Sequence, residues 1–73
     1  KEKLLSKTLD EIAEINYYPV VVKGISKDVI HKSELNAVKL NIQNKNELVI
    51  ATKEIDSSFL ENGFEVEEFL IQN

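Results

Sequence analysis

A chain of 73 residues with 42% hydrophobic and 30% charged side chains makes one small folded unit, too short to be a whole enzyme of ordinary size. Its net charge of -4 argues against the clustered positive surface that a nucleic-acid backbone needs, and all nine basic residues are lysines, so no guanidinium fork exists for two-pronged phosphate recognition. The lack of cysteine excludes disulfides, thiolate metal sites and thiol nucleophiles, and fits a reducing, cytoplasmic setting.

The amino end, KEKLLSK, lacks the apolar stretch of a secretory signal, and its missing methionine reads as a cut made inside a longer protein. From Lys1 to Ile15 the apolar positions Leu5, Leu9, Ile12 and Ala13 recur at helical spacing, which predicts an amphipathic helix docked on a sheet. Asn16-Tyr17-Tyr18-Pro19 ends that helix, because a proline pushes the residue before it toward an extended conformation. The run from Tyr17 to Val22 is the longest apolar one. Pro19 interrupts it, and it is far below the roughly 20 residues of a membrane span, so no membrane partner is expected.

Pro19 to Lys23 is β-branched and continuous, which predicts a strand covered on both faces. Gly24 to Asn36, GISKDVIHKSELN, keeps neither period and reads as a long ordered loop holding most of the polar groups capable of chemistry. Ala37 to Ile42 sets Val38, Leu40 and Ile42 against Lys39 and Asn41, a strand buried on one face. Asn44 with Glu47 three residues on is a capping pair. It opens a helix with a stripe of Leu48, Ala51, Ile55, Phe59 and Leu60, and Gly63 stands where a left-handed cap closes it. Phe64 to Gln72 is a last strand, with Phe64 and Val66 alternating against Glu65 and Glu67.

The predicted order is helix, strand, loop, strand, helix, strand: an α+β fold with helices on one face of a small antiparallel or mixed sheet. That pattern names no function. On residue type alone, Lys23 is either a strand-end lysine reaching solvent or a phosphate contact. His31, the single histidine, is either a surface residue or a phosphoryl acceptor, since neutral imidazole is nucleophilic near neutral pH. The acidic residues Glu61, Glu65, Glu67 and Glu68 read as a wet face rather than a cation cage, so no metal ligand is expected among them.

The segment YPVVVKGISKDVIHKSELNAVKLNI, Tyr18 to Ile42, resembles the ATP-grasp domain of NDP-forming acyl-CoA synthetases, whose pattern runs YPVVLK, an SPDI-like stretch, HKSD, then GGV and a strand. The flanking helices and the closing FLIQ occupy matching places, so the resemblance spans nearly the whole chain. It implies that residues 1–73 are the first half of an ATP-grasp domain, a nucleotide-binding subdomain of a ligase that converts acyl-CoA, ADP and phosphate to acid, CoA and ATP.

It further implies that Lys23, Lys32, Ser33 and Gln72 contact nucleotide and that His31 relays a phosphoryl group, with Glu34 where the pattern has aspartate. The Mg²⁺ that accompanies ATP or ADP would be held outside this segment, and the partners would be the CoA-binding domains or subunit of the same enzyme. Such a fragment would be inactive alone. Two departures stand out: Lys27 replaces a proline, and Asn36-Ala37 replaces a glycine pair whose backbone approaches phosphate or takes positive φ. They keep open a non-catalytic or degenerate binding module, and a succinyl-CoA-synthetase-like chain shares the expected fold.

Overall fold

The computed structural model of the chain describes residues 2–6, 11–29 and 35–73. Four strands, β1 (Glu2–Ser6), β2 (Val20–Ile25), β3 (Val38–Ile42) and β4 (Glu68–Gln72), form an antiparallel sheet in the order β1-β4-β2-β3. One helix, α1 (Lys45–Glu61), lies against one face and a short 3-10 turn, Ile12–Glu14, sits beside it. Leu5, Val22, Phe69 and Ile71 from the sheet meet Leu48, Ile55 and Phe59 from α1, all at most 1% exposed, and this layer is the core. The expected α+β arrangement holds in its strands and its long helix.

The first segment departs from expectation. In place of a helix from Lys1 to Ile15, residues 2–6 are a strand paired to β4, from Glu2 opposite Gln72 to Ser6 opposite Glu68. Helical spacing is a weak local preference, whereas the free edge of β4 offers a full ladder of backbone hydrogen bonds and a buried slot for Leu5. Lys3 then reaches Glu14 at 2.7 Å and Glu11 at 3.0 Å, tying the strand to the 3-10 turn. Hydrogen bonding to Lys3 holds the Glu14 carboxyl below its usual range, and the same contact raises the Lys3 ammonium above its own.

A carboxyl lowered on folding stabilises the fold above its ordinary range and loses that contribution as pH falls through the lowered value. Acidification should therefore lower the amide hydrogen-exchange protection factors of β1, relative to intrinsic rates at each pH, before it lowers those of α1. Equal acid sensitivity of the two elements would exclude this link.

β2 is rich in valine because a pleated strand accommodates β-branched side chains well. It runs on through Gly24 and Ile25, and only one of its faces is covered: Val20, Val22 and Gly24 are buried, whereas Val21, Lys23 and Ile25 are half-buried. β3 corrects a second expectation, since Val38 and Leu40 are 36% and 69% exposed and only Ile42 is buried. Its register explains why. Val20 faces Ile42 and Val22 faces Lys39, so β3 carries one residue more than β2 across that interval, and Asn41 takes the extra step at φ 57°. A bulge of one residue reverses which side chains point inward.

α1 begins as its capping residues dictate: Asn44 Oδ1 accepts from Glu47 N at 2.9 Å, and Glu47 Oε1 accepts from Gln43 N at 2.8 Å. Gly63 closes it at φ 83°. Leu48, Ala51, Ile55 and Phe59 form the buried stripe, but Leu60, about 100° round the axis from Phe59, is 53% exposed and leaves it. Asn44→Ala should cost about 1 kcal/mol in denaturant unfolding, with Asn44→Ser close to neutral. Regular pairing in β4 starts at Glu68 rather than Phe64, although Glu67 N already donates to Ile25 O at 2.8 Å and Val66 is buried. Among the described residues no helix is long and apolar enough to cross a membrane.

Candidate functional site

Because α1 covers one side of the sheet, every second residue of β2 and β4 is left on the other. Val21 pairs with Gln72 and Lys23 with Leu70, so these four side chains form a square on the open face. A cation and an amide occupy opposite corners, and two aliphatic groups occupy the others. Leu4, opposite Leu70, and Val38, opposite Lys23, extend the apolar floor to either side. Glu2 continues the Gln72 row, and Gln72 Nε2 donates to Glu2 Oε1 at 3.0 Å.

Lys23 is half-buried, and its ammonium has no hydrogen-bond or ion-pair partner among the described residues. A charge set in an apolar surface without a counterion is costly unless an anion completes it. A diphosphate is one anion that would complete it, and the flat aliphatic ground beside it would suit the face of a planar ring. The concave surfaces elsewhere are less suited. A groove of about 380 Å³ where α1 meets β3 brings Lys39 and Lys53 together, but Glu54 and Glu61 line it too and offset their charge. Among the described residues, no three carboxylates or imidazoles gather as a metal site would require.

Lys23 and Gln72, expected as nucleotide contacts, thus share one face as diagonal neighbours. His31, Lys32 and Ser33 lie outside the described residues, as does Glu34. At the two departures from the family pattern, Lys27 N donates to Glu67 Oε2 at 2.6 Å, and Asn36 takes φ 52° while Ala37 is fully buried and accepts from Gly24 N at 2.7 Å. The left-handed step falls on the asparagine, the residue of the two that tolerates it, and the alanine fills core.

Val21, Leu70 and Glu2 were not foreseen as site residues. The alternation in VVVK and FLIQ signals the two aliphatic positions once the sheet order is known, but Glu2 joins the face only because residues 2–6 form a strand.

The family model described as an ATP-grasp domain matches residues 4–73. Over 57 residues, 74% of this chain, the sequence is 46% identical to the ADP-forming acetate-CoA ligase I of Archaeoglobus fulgidus and 44% identical to the beta subunit of the ADP-forming acetate-CoA ligase II of Pyrococcus furiosus. Those matches span 8% and 24% of the two proteins, so this chain corresponds to a small part of each.

The solved dinucleotide-forming acetyl-coenzyme A synthetase 1 of Ca. Korarchaeum cryptofilum, in complex with coenzyme A, Ca-AMPCP and HgCl+, aligns with a TM-score of 0.80 at 32% identity, covering 99% of this chain and 33% of that one. The match of the family model from residue 4 to 73 places this chain in the ATP-grasp domain family, with ADP-forming acetate-CoA ligases among its relatives.

Proposed function

We propose that residues 1–73 are the first half of an ATP-grasp domain in an NDP-forming acyl-CoA synthetase, and that the open sheet face covers its nucleotide. The observation that carries this reading is the Lys23 ammonium, which has no partner among the described residues and lies on the sheet face beside Val21, Leu70 and Val38. The enzyme would turn acyl-CoA, ADP and phosphate into acid, CoA and ATP in cooperation with its CoA-binding domains or subunit. Two relatives are named as ADP-forming ligases, and the solved acetyl-coenzyme A synthetase that aligns with this chain was in complex with coenzyme A and a nucleotide analogue.

In this reading Lys23 neutralises phosphate oxygens of the nucleotide, and the aliphatic floor excludes water from the ring it supports. The imidazole of His31 accepts a phosphoryl group and passes it to the terminal phosphate of ADP, with Lys32 offsetting charge and Ser33 donating a hydrogen bond. Mg²⁺, when bound, spreads the charge of the phosphates, and its ligands are proposed to lie outside these residues. The 73 residues alone would bring no turnover, because transfer needs the second wall of the site.

His31→Ala tests the relay in the full-length protein. Incubation with γ-labelled ATP should label the parent and leave the variant unlabelled, with acyl-CoA-dependent ATP formation lost by more than about a hundredfold. An active, still-labelled variant would assign phosphoryl transfer to another residue, and an inactive, unlabelled parent would favour a non-catalytic binding module.

A further inference from the structure

Of the seven asparagines in the chain, Asn62 alone is followed by glycine, and both residues are exposed at the end of α1. In such a pair the backbone nitrogen of the glycine can attack the side-chain amide carbon of the asparagine, because no Cβ on the glycine stands in the way. A bond forms between Gly63 N and Asn62 Cγ, the Cγ–Nδ2 bond breaks, ammonia leaves with the Gly63 proton, and a succinimide ring remains. Water then opens one of the two ring carbonyls. One opening gives aspartate, and the other gives isoaspartate, in which the main chain runs through the side-chain carbon.

The cap of α1 holds the reacting groups apart. Gly63 N, the nucleophile, donates to Leu60 O at 3.1 Å, and Phe64 N donates to Phe59 O at 2.9 Å, the paired bonds of a Schellman cap around the positive φ of Gly63. Asn62 Nδ2, the leaving group, donates to Ser58 O at 2.8 Å. Asn62 sits at ψ 9°, which sets Gly63 N almost in line with the backbone nitrogen of Asn62, about a third of a turn round from Cβ. Ring closure needs Gly63 N beside Cβ. Phe64, packed against the core, fastens the turn from the far side. The step therefore requires the last turn of α1 to open.

We propose that Asn62 is a modification site, converted to aspartate and isoaspartate through a succinimide at a rate set by the opening of the last turn of α1. The product works against the cap that delayed it. A carboxylate at position 62 cannot donate to Ser58 O, and it adds negative charge beside Glu61 at a helix end whose last turn has no basic residue. Isoaspartate also lengthens the main chain by one carbon between α1 and the buried Val66.

The test follows position 62 by peptide mapping and mass spectrometry, as a gain of about one dalton, in full-length protein kept at neutral pH with and without urea. In urea, Asn62 should convert faster than any other asparagine of these 73 residues, to a mixture that contains isoaspartate. The native protein should convert more slowly than the unfolded one by about tenfold or more. Phe64→Ala and Leu60→Gly each loosen the turn and leave the reacting atoms in place, so each should speed native conversion by about threefold or more without changing the rate in urea. Equal rates in native and unfolded protein, or a native rate that neither variant changes, overturn the inference. Aspartate as the sole product overturns it too, because direct hydrolysis of the amide never passes through the ring. Should Phe64→Ala not fold, Leu60→Gly, at a side chain 53% exposed, carries the test alone.

Discussion

Alanine in place of Lys23 is expected to weaken ADP binding by about ten- to a hundredfold while changing the folding free energy by less than about 1 kcal/mol. The two halves of this result have the same origin. No described carboxylate pairs with the ammonium, so its removal strands no buried partner in the fold. A phosphate bound there loses a charge-assisted hydrogen bond of about 1.5–3 kcal/mol with nothing to replace it. Calorimetric titration with ADP and denaturant unfolding of the same samples check both numbers. Undiminished ADP affinity would remove the open face from consideration as the nucleotide site, and a large stability loss would make Lys23 a structural residue.

Gly24→Ala should destabilise the chain by about 1–3 kcal/mol, although the change is one methyl group. A Cβ at position 24 would stand 2.6 Å from Ile55 Cγ2 and 3.2 Å from Phe59 Cζ. Both neighbours are fully buried, so neither has solvent to move into. The glycine is required here for closeness, because it lets α1 lie directly on β2. Ile55→Ala alone should cost about 2–5 kcal/mol through the cavity it opens.

Combined with Gly24→Ala, it vacates the space that the new methyl needs. The double variant should then lose at least about 0.5 kcal/mol less than the sum of the single losses. Strictly additive losses in denaturant midpoints would mean that this contact does not govern position 24.

What could be read ahead of the structure divides by the distance over which each feature is decided. α1 was legible from Asn44, Glu47 and Gly63, because caps act within one turn of the residues that form them. β2 was legible from its valines. The covering of its faces was not, since one-sided burial depends on where α1 lies and not on β2 itself. Residues 2–6 become a strand because β4, far along the chain, presents an edge to them, and no local pattern in KEKLLSK records that edge. The inward face of β3 was misassigned because a bulge adds a residue without a sequence mark stronger than one asparagine.

On the candidate face, Lys23 and Gln72 were singled out by family resemblance, and their sharing of one face follows from period-2 alternation once β2 and β4 are known to be neighbours. The place of Glu2 on that face was out of reach, since it depends on the same unforeseen edge.

The pairing of Glu2 with Gln72 also sets how the fold answers a mechanical load. These residues begin β1 and end β4, so tension on the chain at both points pulls across the strands, along the line of the hydrogen bonds that join them. Such a load falls on one rung at a time, starting at Glu2–Gln72 and moving toward Ser6–Glu68, as a zip opens. Strands pulled lengthwise would instead share the force among all their rungs. The edge that completes the sheet is therefore its weakest point under traction applied at Glu2 and Gln72.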